Sequence, residues 1–158
     1  MPDLITHTVA AYMIRSRKIK VHNLIIYLIG AMLPDLATRP FMILVPKTQH
    51  FFQAFHTPVA LALIIYGIVQ FFDKKIRLTV ARMLSYGTLT HLFLDMFQDS
   101  VAERGYGWFF PFSYLDFRIG LFWPEDSVAI VPILLLVFFI DFFYSKYRNK
   151  KLMQESAD

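Results

Sequence analysis

The chain has 158 residues, of which 56% are hydrophobic, 17% aromatic and 18% charged, with a mean hydropathy of +0.47. A water-soluble globule carries nearer a quarter charged residues and a disordered chain few aromatics, so both are excluded and the membrane class remains. Cysteine is absent, which excludes disulfides, thiolate metal sites and a cysteine nucleophile.

In chain order, residues 3–14 predict a short helix with Asp3 as its N-cap. It is too short to span a bilayer, which takes about 20 apolar residues, and is expected to pack among the other helices. Met1-Pro2-Asp3 precedes the apolar stretch and the basic residues follow it, the reverse of a signal peptide. Four spans are expected, at roughly 21–38, 56–72, 78–98 and 127–145. Thr57 and Pro58 predict the N-cap and first helical residue of the second. Trp123 to Ser127 reads as the interfacial lead-in to the fourth, with Asp126 or Ser127 capping it. The fold class is therefore all-α: a membrane-embedded helical bundle over residues 1–145, then a polar tail over 146–158. No internal repeat or low-complexity tract is seen.

Twelve of the sixteen basic residues fall in three clusters: Arg15, Arg17, Lys18, Lys20; Lys74, Lys75, Arg77, Arg82; and Lys146, Arg148, Lys150, Lys151. With four spans all three lie on one side, which the positive-inside rule makes cytoplasmic. That side carries a net +8 and the other a net −4. This topology accounts for the overall +4 without a nucleic-acid partner; the expected partner is the lipid bilayer. It also places the C-terminus in the cytoplasm, in a multi-pass protein of the cell membrane.

Ionisable groups inside a bilayer are expensive and call for a reason. His7, Asp35, His56, His91 and Asp95 are such groups. His91 and Asp95 are four apart and share one helix face. They are either two metal ligands or a hydrogen-bonded pair. Asp35 follows Pro34 near the outer end of the first span, where a helix-end aspartate is the alternative. His56 precedes the second span, where the alternative is an interfacial histidine. His7 sits on the N-terminal helix. At 1.5 Å per residue, His91 lies about 14 Å beyond Arg82, Asp95 about 20 Å, Asp35 about 22 Å beyond Lys20, His56 about 25 Å from Asp73 and His7 about 12 Å from Arg15. All five fall in the middle-to-outer part of the membrane. Three histidines and two aspartates make a nitrogen/oxygen set suited to a divalent metal. Zinc is expected first, with manganese or iron as alternatives.

The order His7, Pro34-Asp35, His56, then His91-x-x-x-Asp95 resembles the inner-membrane-associated metal-dependent hydrolases, also described as LexA-binding or LexA-regulated membrane proteins. Tyr106 to Phe112 resembles that family's aromatic segment after the last motif. A more distant similarity is to zinc-dependent phospholipase C, whose ligands run in the same order. The family often has His-Arg-x-x-Thr-His at the third motif. Here His50 and His56 are six apart and the arginine is missing, so His56 alone is carried over.

The resemblance implies a membrane-bound hydrolase with a metal-activated water, acting on a phosphoester or lipid-linked substrate. Asp35 and Asp95 are the candidate general bases. The alternative is a non-catalytic metal-binding scaffold or regulatory protein; a transporter is disfavoured by the missing repeat. Trp108 to Phe112 is expected as an interfacial aromatic belt, with covering of the site as the alternative. Arg39 and Arg104 are expected as loop arginines, with phosphate binding as the alternative. Asp141 is expected near the inner interface.

Overall fold

A computed structural model describes residues 4–16, 19–45, 47, 51–52, 54–97, 99, 107–113, 119–121, 123, 126, 132–133, 135–144 and 147. The elements in order are α1 (Leu4–Ile14), α2 (Val21–Leu44), a 3-10 turn (Ala54–His56), α3 (Pro58–Val69) and α4 (Lys74–Phe97). A short apolar helix, α5 (Leu135–Tyr144), follows. Among the described residues the chain is all-helical, as its composition predicts. Asp3 lies outside them, as does all of the 146–158 tail except Tyr147.

Helix α2 runs further than expected. It was predicted to end near residue 38, yet it continues through both Pro34 and Pro40 to Leu44. Its 24 residues give about 36 Å, enough to cross a hydrocarbon core of about 30 Å. The stop comes at Val45, which leaves the helix at φ −133°. Val45 precedes Pro46, whose ring disfavours the helical region for the residue before it.

Pro34 shapes the packing. A helical proline has no N–H, so the carbonyl four residues back loses its partner. That carbonyl is Gly30 O, and the buried Thr88 hydroxyl on α4 donates to it at 3.0 Å. The bond falls where α2 and α4 cross closely. A β-carbon on Gly30 would lie 2.8 Å from Leu84 Cα, and one on Gly87 2.6 Å from Ala31 N. Small residues that let backbones approach are a device of membrane helix pairs.

Two apolar clusters flank this crossing. Leu33, Ile65, Val69, Val80 and Leu84 join α2, α3 and α4. Ala11, Tyr27 and Ala31 join α1 and α2. The Tyr27 hydroxyl donates to Ala11 O at 3.2 Å and lies 3.1 Å from Thr90 Oγ1, tying three helices together. Helix α5 meets α1 through an edge-on Tyr12–Phe138 contact and an Arg15–Asp141 ion pair at 3.8 Å. That pair sets the C-terminal ends of α1 and α5 at one level.

Thr57 is the N-cap of α3 and Pro58 its first residue, as predicted, but the Thr57 hydroxyl bonds back to Ala54 O at 2.8 Å rather than capping α3. Helix α4 starts at Lys74 rather than 78. Asp73 launches it, accepting the Lys75 N–H at 2.8 Å. At the expected lead-in to the fourth span the Trp123 N–H donates to Asp126 Oδ2 at 2.8 Å; Ser127 lies outside the described residues.

Outward faces are apolar: Phe71, Leu63, Tyr66, Ile43 and Leu44 are all more than 60% exposed. The most buried positions include His7, Asp35, His56, His91 and Asp95. Apolar outside with ionisable groups inside is the distribution a lipid solvent favours. By length and hydropathy, α2 is the one helix among the described residues that qualifies as a span. Helices α3 and α5 are shorter apolar helices, and α4 is long but carries a charged first turn.

Candidate metal centre

All five predicted residues converge, brought from four elements. His7 comes from α1, Asp35 from α2, His56 from the 3-10 turn, and His91 with Asp95 from α4. Each is at most 2% exposed. The spacing of His91 and Asp95 does what a helix dictates, setting both on the buried face with Leu84 and Thr88.

Asp95 is the hub. Its Oδ2 lies 2.7 Å from His56 Nε2 and 3.3 Å from His91 Nε2, and its Oδ1 lies 3.2 Å from His7 Nε2. The His7 and His91 rings stack with centroids 3.9 Å apart. Asp35 approaches the same nitrogen, its Oδ1 4.0 Å from His91 Nε2. Two sets therefore share His91: His7, His91 and Asp95, and Asp35, His56 and His91. Within each, one ligand atom per residue lies within 4.8 Å of the others.

The donor and acceptor pattern tests whether a cation fits. His91 Nδ1 lies 2.7 Å from Ala31 O, which can only accept, so Nδ1 carries the proton. In the neutral ring, Nε2 then presents a lone pair toward two carboxylates and has no hydrogen-bond partner. His7 Nδ1 and Nε2 and Asp35 Oδ2 are likewise buried without a hydrogen-bond partner. Buried, unsatisfied lone pairs facing each other are costly. A cation among them removes that cost, and imidazole with carboxylate is a donor set for zinc, manganese or iron. A metal-bound histidine usually donates its far ring N–H to a backbone carbonyl or carboxylate, as His91 does here. The residues present fit a divalent metal.

Arg39 is the residue the sequence reading placed wrongly. It was expected in a loop, but it lies on α2, one turn beyond Asp35. Its Nε pairs with Asp35 Oδ1 at 2.9 Å. The signal was available, since Asp35 and Arg39 are four apart, the spacing of a helical ion pair.

Trp108 lines a groove of about 570 Å³ with Pro58, Leu92 and Met96, the chain neighbours of the candidate ligands. Phe109 and Phe112 are exposed, as an interfacial belt would be. Asp141 pairs with Arg15 at 3.8 Å. His50 and Arg104 lie outside the described residues.

Searches of curated proteins and of solved structures found no significant match. A family profile does match, and it is described as YdjM inner membrane protein. It covers residues 3–155, which takes in every described helix and all five converging residues. The chain belongs to the YdjM inner membrane protein family.

Proposed function

We propose that this membrane protein is a metal-dependent hydrolase of the inner membrane acting on an ester of phosphoric or carboxylic acid. The reading rests on one observation: five ionisable side chains from four elements meet in a buried cluster with unsatisfied nitrogen and oxygen atoms. The resemblance to inner-membrane metal-dependent hydrolases, and more distantly to zinc-dependent phospholipase C, points the same way. In the proposed topology four spans cross the membrane, the tail from 146 is cytoplasmic and the cluster opens toward the outer leaflet.

His7, His56, His91, Asp35 and Asp95 would hold one or two divalent metals, zinc in the first instance. When bound, such a metal supplies Lewis acidity that makes water more acidic and polarises the ester oxygen. Asp95 orients the three histidines, since both its oxygens already face their ring nitrogens. Asp35 is the better-placed general base, because its Oδ2 has no hydrogen-bond partner. It takes the proton of the attacking water. The water oxygen joins phosphorus or the acyl carbon, the ester bond breaks, and the departing oxygen takes the proton back from Asp35.

The test is hydrolysis of chromogenic phosphodiesters and carboxylic esters by zinc- or manganese-loaded protein in detergent. Asp35→Asn, which removes the base, should lower turnover by at least about 100-fold. Hydrolysis at the wild-type rate by His91→Ala, or by metal-stripped protein, would overturn the reading.

A metal-holding scaffold is the second reading. Burial of all five residues to 2% exposure or less favours it, because a structural site is closed where a catalytic one keeps an open position. Bound metal with no hydrolysis of any ester tried would establish it.

A further inference from the structure

We infer that the groove beside the buried cluster is an acyl-chain site, and that the ester reaching the cluster belongs to a membrane lipid. The second half rests on the hydrolase reading and narrows its substrate class; the groove stands on its own lining.

Four observations carry it. The first is position. The groove of about 570 Å³ is lined by Leu92 and Met96, which follow the candidate ligands His91 and Asp95 in the chain. One end of it therefore adjoins the cluster. The second is shape. Leu92 at its floor is 4% exposed, whereas Tyr86, Leu89 and Phe93 along its edges are each more than half exposed. A trough open along its side takes its occupant from the surrounding bilayer. The third is chemistry. Ile14, Leu89, Leu92, Phe93 and Met96 present apolar side chains. The Thr90 hydroxyl on the same wall donates back to Tyr86 O at 2.9 Å, so it is turned into its own helix. A polar segment would lose its hydration there with little to replace it, whereas a hydrocarbon chain has none to lose. The fourth is length. Met96 lies ten residues beyond Tyr86 on α4, about 15 Å of helix rise. That is half of a hydrocarbon core of about 30 Å, the depth one leaflet gives a single chain. A second groove of about 460 Å³, reaching Tyr27 and Met83, shares Ile14, Tyr86 and Thr90 with the first and gives a longer chain room. Lipid tails are as apolar as this lining, so the hydrophobic effect does not drive entry. Shape and dispersion contacts select the chain. What the groove contributes is orientation, setting the ester at the end where Leu92 and Met96 adjoin the cluster.

The test uses protein reconstituted in phosphatidylcholine vesicles that carry a trace of phosphatidylcholine with a photoactivatable diazirine on its chain. Mass spectrometry locates the label. Tyr86 at the groove and Tyr66 on α3 are the same residue type at 56% and 67% exposure. Tyr86 lies four residues from Arg82 and Tyr66 seven from Asp73, about 6 and 10 Å along their helices. They therefore compare groove with open lipid contact at similar depth. Tyr86 should carry about 10-fold more label. Leu89→Trp sets an indole into the groove at a position already 58% exposed, and should bring Tyr86 down to the level of Tyr66. Leu89→Ala should keep the excess. Equal label on the two tyrosines of wild type, or an excess that survives Leu89→Trp, would overturn the inference. So would less label on Tyr86 than on Tyr66, the result expected of a second copy seated in the groove. Labelling needs neither metal nor turnover, so none of these results touches the hydrolase reading. The substrate is read separately, with metal-loaded protein in the same vesicles. The preference for a palmitoyl over a butyryl ester, as the ratio of their kcat/KM values, should fall about 10-fold in Leu89→Trp. An unchanged ratio would overturn the lipid ester as substrate. Absence of any hydrolysis would overturn it together with the hydrolase reading and leave the groove as a lipid-chain site.

Discussion

His91 Nδ1 lies 2.7 Å from the carbonyl oxygen of Ala31, and that one contact orients the candidate metal centre. It fixes the ring's tautomer and turns Nε2 toward Asp95 and Asp35. Ala31 also forms part of the α2–α4 crossing, where its backbone nitrogen would lie 2.6 Å from a β-carbon on Gly87. Helix packing and ligand orientation are therefore one arrangement.

Gly87→Ala is expected to force α2 and α4 apart. The cost should be about 1–3 kcal/mol, read as a lowered unfolding temperature in detergent. Metal content should fall with it, because the Ala31 carbonyl moves away from His91. Gly67→Ala serves as the control, since a β-carbon there meets nothing within 4 Å. Equal stability of the two variants would contradict the account.

Thr88→Val should leave the Gly30 carbonyl, deprived of its helical partner by Pro34, without the hydroxyl it uses. Hydrogen bonds between membrane helices are worth about 0.6–2 kcal/mol, and a loss in that range is expected. Thr88→Ser, which keeps the hydroxyl, should unfold close to wild type. A valine variant as stable as the serine variant would show the bond to be idle.

Much of this was legible in the sequence, and the failures have identifiable causes. His91 and Asp95 could be paired because helical periodicity alone puts them on one face. His7, Asp35 and His56 could be grouped with them by depth, since a bilayer turns position along a helix into a coordinate. Arg39 was placed in a loop because the first span was set at roughly 21–38, whereas α2 runs on to Leu44. A proline in a membrane helix is tolerated when a neighbour takes up the freed carbonyl, and Thr88 does so from 58 positions away. The Ala31 contact was equally hidden, because a backbone acceptor leaves no trace in residue type.

The Arg15–Asp141 pair predicts a modest, coupled contribution. Arg15→Ala and Asp141→Ala should each destabilise, with a coupling energy of about 0.2–1 kcal/mol in a double-mutant cycle. Strict additivity would show the pair to contribute nothing. The same level of α1 and α5 ends bears on topology: a reporter fused after Asp158 should be cytoplasmic, and exposure outside the cell would invert the proposed orientation.

His22 separates a specific site from general affinity for imidazole. It is exposed at the start of α2. His22→Ala should keep its full metal content, whereas His7→Ala should bind metal at least about 10-fold more weakly. Equal loss from both variants would mean that metal is held non-specifically.

The measurement closest to the central claim is the metal content of purified protein by elemental analysis, with wild type beside His91→Ala and Asp35→Asn. The account predicts about one or two divalent ions per wild-type chain, lost from His91→Ala and reduced in Asp35→Asn while all three remain folded. Folded wild type that holds no metal after incubation with zinc and with manganese would contradict it.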